Sequence, residues 1–108
     1  MNGAAFTELA IQTKSGVRVP DVAWGSKDYV MKHKNELFAS SAPEICVEII
    51  SPSNTSQEMF DKTQLFIAAG AQEVWLVTES GKISFYSIDG EIKKSQFDIN
   101  LDKITLNI

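Results

Sequence analysis

Pro43-Glu44-Ile45-Cys46-Val47-Glu48-Ile49-Ile50-Ser51-Pro52 is the stretch whose reading decides the fold. Ile45 to Ile50 is a short apolar run rich in β-branched side chains and bounded by Pro43 and Pro52, which predicts a central strand. Glu48 breaks the pattern. By the two-residue period of a strand it shares a face with Cys46 and Ile50. A lone carboxylate on such a face is costly to bury unless a cation or several donors receive it. Either Glu48 lies where the strand opens to solvent, or it has a positive partner.

The residues that follow supply a candidate partner. Thr55 with Glu58 three residues later is a capping box, and Ala69-Gly70 closes the helix that it starts. Met59, Thr63, Phe66 and Ile67 form one apolar stripe at helical spacing, with Asp61 and Gln64 pointing away from it. Lys62 lies on the border of that stripe. Its stem can run along a sheet while its ammonium reaches past the strand end toward Glu48. Border lysines more often simply reach water, and that reading stays open at this point.

Working outward toward the amino end, Phe6 to Gln12 alternates as a strand, Lys14-Ser15-Gly16 is a turn signal, and Val17 to Trp24 predicts a second strand completing a hairpin. Pro20-Asp21 interrupts that second strand. A proline cannot donate to a ladder, so the pair marks an edge, a bulge or a strand end. Asp21 shares a face with Val19 and Ala23, a second acid on an otherwise apolar face, although a plain turn or edge aspartate would look the same. Gly25 to Ser41 is polar and lacks a clean period, which predicts a loop with one or two helical turns. Its Lys32-His33-Lys34 run could touch phosphates, but short charge runs are usually solvated. His33 has no second histidine or nearby cysteine, which argues against zinc.

Toward the carboxyl end, Glu73 to Thr78 predicts an apolar strand, Ser80-Gly81 a turn, and Lys82 to Ile88 a further strand. Asp89-Gly90 is a type I′ hairpin signal leading into Ile92 to Ile99; Asn100 to Lys103 predicts a turn and Ile104 to Ile108 a last strand. Trp75, Phe85, Tyr86 and Phe97 suit cross-strand packing better than a ligand platform. The strand, helix and strand between residues 45 and 78 should pair in parallel through a right-handed crossover. With antiparallel strands on either side, the expected architecture is a mixed sheet of the α/β type with one main helix.

The 108 residues fit a single domain spanning 1–108. A hydrophobic content of 44% with 22% charged residues is ordinary for a soluble globular protein, and the formal charge of −4 argues against indiscriminate coating of nucleic acid. Cys46 is the only cysteine, so an internal disulfide is excluded and a reducing cytoplasm is expected. The amino end has no signal-peptide pattern, no apolar run approaches the roughly 20 residues of a membrane span, and no repeat is visible.

Pro20-Asp21, then Glu48 in an apolar strand running into Ser51-Pro52-Ser53, then Asp61-Lys62 in a helix ending at Ala69-Gly70, then Glu73-Val74-Trp75-Leu76-Val77, together resemble the restriction-endonuclease-like PD-(D/E)XK superfamily. More narrowly the set is similar to the bacterial putative restriction endonuclease family. The resemblance spans about Glu8 to Tyr86. It implies a restriction-endonuclease-like mixed sheet and a divalent-metal-dependent endonuclease acting on DNA, with Asp21 and Glu48 as metal ligands. The superfamily usually places its lysine two residues after the second acid, where this chain has Ile50. In the narrower family the lysine comes from the following helix, which matches Lys62. Members of that family also carry a segment ahead of the proline-aspartate hairpin, with amino-terminal helices and another acid, so relative to them this chain reads as shortened at its amino end.

Phosphodiester hydrolysis needs charge neutralisation on the non-bridging oxygens and an activated water. Asp21, Glu48 and the main-chain carbonyl of Ile49 form a hard oxygen set suited to Mg²⁺ or Mn²⁺, and Lys62 would orient the water or stabilise the developing charge. Asp21, Glu48 and Lys62 are thus the expected catalytic set, with DNA as partner. Cutting both strands with so small a unit would call for a homodimer. Two other readings remain: a nuclease-like fold that no longer cuts and serves as a binding or assembly module, and a structural α/β domain whose acids face solvent.

Overall fold

The computed structural model describes residues 2–99. Eight strands and two helices follow in the order β1 (Gly3–Phe6), β2 (Ile11–Thr13), β3 (Gly16–Arg18), β4 (Val22–Ser26), α1 (Lys27–His33), β5 (Ile45–Ile50), α2 (Ser56–Ala68), β6 (Glu73–Thr78), β7 (Ile83–Ser87) and β8 (Gly90–Ile92). Six strands form one sheet in the order β1-β4-β5-β6-β7-β8, and β2 with β3 makes a separate two-stranded ribbon.

β5 lies inside the sheet, antiparallel to β4 and parallel to β6. α2 provides the crossover between β5 and β6, as expected. Its start is fixed chemically: Thr55 Oγ1 accepts from the Glu58 N–H at 3.0 Å, and the Glu58 carboxylate accepts from the Thr55 N–H at 3.2 Å. Its end is fixed by Gly70, whose φ of +120° suits a residue without Cβ. Between these caps, Met59, Thr63 and Phe66 are buried on the sheet. Thr63 hides its hydroxyl by donating to the Met59 carbonyl at 2.8 Å.

The alternating side chains of β5 divide the interior. Cys46 and Ile50 join Met59, Phe66, Val74, Leu76, Tyr29 and Ile11 on the helical side. Ile45 and Val47 join Val22, Trp24, Trp75 and Val77 on the other side, against which Phe85, Phe97 and Ile99 pack. Trp75 and Phe85 face each other across β6 and β7 with their rings edge to face at 5.2 Å.

Three strand expectations are corrected. Phe6 to Gln12 is not one strand: β1 ends at Phe6, β2 begins at Ile11, and residues 7–10 turn between them. Val17 to Trp24 likewise splits into β3 and β4 around Val19-Pro20-Asp21. The hairpin is therefore β2–β3, whereas β4 pairs with β1. Pro20 explains the split, because it withholds a donor from any ladder that would continue through it. The third correction concerns Ile92 to Ile99, where regular pairing stops at Ile92. Residues 93–99 instead run irregularly, tied down by Glu73 as described below.

The Asp89-Gly90 turn also differs from a type I′ loop, which needs positive φ at both central residues. Here Ile88 and Asp89 form the turn and only Gly90, at φ +100°, is left-handed. The turn at Asn100 to Lys103 and the strand at Ile104 to Ile108 lie outside the described residues.

Phe66 is 2% exposed at the centre of the helix–sheet contact, whereas Phe60 on the same helix is 58% exposed. Phe66→Ala should lower the unfolding free energy by about 3–5 kcal/mol. Phe60→Ala should stay within about 0.5 kcal/mol. Urea unfolding of both variants measures the contrast.

Candidate active site

The separation of β3 from β4 delivers Asp21 to the end of the β4–β5 ladder. The ladder between β4 and β5 ends with Val22 opposite Val47. Beyond it the Asp21 side chain takes over, and its Oδ2 accepts from the Ile49 N–H at 2.8 Å. In return the Asp21 N–H donates to Glu48 Oε2 at 3.3 Å. Each acid thus receives a main-chain donor from the strand that carries the other. A strand residue turns its N–H and C=O to the same edge. The Ile49 carbonyl therefore lies on the edge where Asp21 stands.

Glu48 is buried, with 5% of its surface exposed. Lys62 reaches it from α2, placing Nζ 4.0 Å from Glu48 Oε1. The second helical turn provides that reach, since Met59 and Thr63 hold the helix down on either side of Lys62. Lys62 is half exposed, so water screens the pair and the ammonium only partly neutralises the acid. Burial is the main cause that pushes the Glu48 carboxyl up to about 7, and the Asp21 carboxyl adds to it through hydrogen bonding and charge, with Lys62 opposing.

The structure thus brings together all four residues singled out in the sequence: Asp21, Glu48, Lys62 and the main chain of Ile49. Among the described residues no group of three or more His, Cys, Asp or Glu side chains converges as a metal cluster. The fit to a cation therefore rests on the donor chemistry of the pair. Two carboxylates meet where the β4–β5 ladder ends, with a single, partly screened ammonium, a hard-oxygen set carrying excess negative charge, which suits a small divalent cation.

Two further polar groups were not anticipated from sequence. Glu73 is fully buried, and its oxygens accept from Trp75 Nε1–H at 2.8 Å, from the Ser95 hydroxyl at 2.6 Å and from the Gln96 N–H at 2.7 Å. It staples residues 95–96 to the sheet and is structural. The one available signal was a tryptophan two residues after the acid, on the same strand face. His33 is the other. It is buried, stacks on Tyr29 with ring centres 4.3 Å apart, and meets Glu36 through Nδ1 and Ser41 through Nε2. That leaves only Lys32 and Lys34 of the basic run exposed.

A mixed sheet with a helix crossing between its two parallel strands is a restriction-endonuclease-like fold. The chain belongs to the Uma2 family, described as "Putative restriction endonuclease", whose model matches residues 2–106. Among solved structures it is similar to a protein from Anabaena variabilis described as "a putative nuclease", with 21% identity and a TM-score of 0.65. That match covers 79% of this chain and 50% of the other, so this chain spans about half the length of that neighbour. No curated protein matches the chain.

The raised Glu48 carboxyl gives a pH prediction. The folded protein holds this proton more tightly than the unfolded chain, whose ordinary value is 4.5. The group's contribution to stability is therefore fully present below about pH 4.5 and is lost as the pH rises to about 7. A shift of that size corresponds to at most about 3 kcal/mol. In EDTA, Glu48→Gln should gain stability relative to the parent protein between pH 5 and pH 8. Urea midpoints of the two proteins at both pH values measure this difference.

Proposed function

We propose that this chain carries the site of a divalent-metal-dependent DNA endonuclease. The observation that supports it most is the reciprocal link between Asp21 and the Glu48–Ile49 segment, with Lys62 beside it. A fold needs neither two facing acids on adjoining strands nor a lysine over them, and both carry a cost. Phosphodiester hydrolysis uses all three.

In this reading Asp21, Glu48 and the Ile49 carbonyl hold Mg²⁺ or Mn²⁺. The bound ion would supply charge neutralisation on the non-bridging oxygens and an acidified water. Asp21 is exposed and meets substrate from the solvent side, whereas buried Glu48 is fixed by its strand. Lys62 presents a half-exposed ammonium to the reacting phosphate, where it orients the attacking water or stabilises charge developing on the phosphorus oxygens. Attack of water on phosphorus breaks one P–O ester bond, leaving a hydroxyl on one fragment and a phosphate on the other. The only cysteine, Cys46, is buried as a free thiol, which suits a reducing cytoplasm. No helix among the described residues is long and apolar enough to cross a membrane. A homodimer would let two such sites address both strands.

A second reading is a nuclease-like module that binds or assembles without cutting. It is favoured by the same two-acid site, which has no third acidic ligand among the described residues.

Supercoiled-plasmid cleavage with Mg²⁺ or Mn²⁺ separates the two readings. Glu48→Gln should abolish cutting. Lys62→Met, which keeps the aliphatic stem, should keep the fold and slow cleavage by about a hundredfold or more. Wild-type rates in Glu48→Gln would refute the site, and an uncut plasmid with intact metal binding would favour the module.

A further inference from the structure

The β2–β3 ribbon stands apart from the main sheet and runs directly into Asp21. Residues 9–20 contain Lys14 and Arg18 and no aspartate or glutamate, in a chain with a formal charge of −4. Both cations are exposed, and among the described residues no carboxylate lies within ion-pair distance of either. Arg18 spends one N–H on the Val17 carbonyl at 3.0 Å and keeps the rest of its fork.

Register decides where Arg18 points. It is paired with Ile11, and directly opposed residues of a ladder share a face. Ile11 is fully buried in the cluster that holds Met59 and Phe66 of α2. Arg18 therefore leaves the ribbon on the α2 side, the side of the sheet on which Glu48 and Lys62 lie. It precedes Asp21 by three residues, so their Cα atoms are at most about 10 Å apart. A DNA strand carries a phosphate about every 3.4 Å of helix axis, so that distance spans the phosphates next to the one at Asp21. Lys14 lies further out, in the turn at the ribbon tip.

The ribbon is also rigid. Thr13 Oγ1 donates to the Gly16 carbonyl at 2.6 Å and accepts from the Ser15 N–H at 3.1 Å, which locks the turn. At its root, Gln12 N–H donates to the Ala39 carbonyl at 2.9 Å and Ala39 N–H to the Ala10 carbonyl at 2.8 Å. A pre-ordered element loses little conformational entropy on binding.

We propose that this ribbon docks on B-form duplex DNA, with Arg18 and Lys14 on backbone phosphates flanking the one held at Asp21, Glu48 and Lys62. The major groove of B-DNA admits a two-stranded ribbon. The deep, narrow major groove of duplex RNA does not. The inference rests on the nuclease reading of the site and names its substrate class as double-stranded DNA.

The test uses full-length Glu48→Gln protein, which the nuclease reading expects to bind without cutting, and measures affinity for a short DNA duplex and the matching RNA duplex over a salt series. Adding Lys14→Ala and Arg18→Ala should weaken DNA binding about tenfold or more at low salt and reduce the log–log salt slope by about 2. Adding Lys82→Ala and Lys93→Ala instead should change neither. RNA duplex should bind more weakly and without dependence on the ribbon. Unchanged DNA binding in the ribbon variant would overturn the docking role and leave the nuclease reading standing. Equal losses on DNA and RNA would overturn the assignment to B-form DNA. Glu48→Gln protein that binds no duplex at any salt would overturn both the ribbon and the nuclease reading.

Discussion

A buried carboxylate on the central strand is the constraint on which the rest depends. Glu48 lies in β5 between Cys46 and Ile50, with core side chains around it and 5% of its surface exposed. An acid in that position destabilises the fold unless donors reach it. The structure meets the need from two directions: the main chain at Asp21 donates from just ahead of β4, and Lys62 approaches from α2. Neither is strong. The hydrogen bond is 3.3 Å long and the ion pair 4.0 Å with its cation half in water, so the carboxyl remains well above its ordinary range. Structural acids in this protein are treated differently. Glu73 receives three short hydrogen bonds and is sealed from solvent. The under-compensated acid is the one where the β4–β5 ladder ends, beside a second carboxylate, where a cation or a phosphate-bound ion can complete it.

The fold around it serves to place three short segments. The parallel pairing of β5 and β6 requires a crossover, and the crossover helix passes over the strand that holds Glu48. The capping box fixes where α2 begins, and Met59, Thr63 and Phe66 fix its rotation, so Lys62 has little freedom except along its own stem. On the other flank, Pro20 ends one ladder and Val22 begins the next, leaving Asp21 between ladders with its side chain free to replace the missing strand partner of Ile49.

Much of this was legible in the residues. The β-branched run from Ile45 to Ile50 and the helix from Thr55 to Gly70 are local signals, a proline-bounded strand and a helix with both caps written out, and both appear as read. The three candidate residues stood out because each is a charge where local patterning asks for an apolar or neutral group, and their proximity is what the structure adds. The amino-terminal strands were not legible, because alternation specifies a strand's faces but not its partner. Val17 to Trp24 reads as one strand interrupted at Pro20-Asp21, yet the parts on either side of that pair belong to different sheets. Ile92 to Ile99 was expected from the hairpin signal before it, but Glu73 captures Ser95 and Gln96 from 22 and 23 residues away, and Phe97 and Ile99 pack on the cluster that holds Trp24 and Trp75. Tertiary contacts of that kind, like the burial of His33 beneath Tyr29, leave no periodic trace.

The central claim is that Glu48 is an acid held in an incomplete site and completed by a divalent ion. A carbon-detected NMR titration of the Glu48 side-chain carboxyl, with and without Mg²⁺, tests it most directly. The account predicts a midpoint near pH 7 in EDTA that moves down by at least about one unit on adding Mg²⁺, since a bound cation favours the ionised form. A midpoint in the ordinary carboxylate range, or one that does not respond to Mg²⁺ or Mn²⁺, would contradict it.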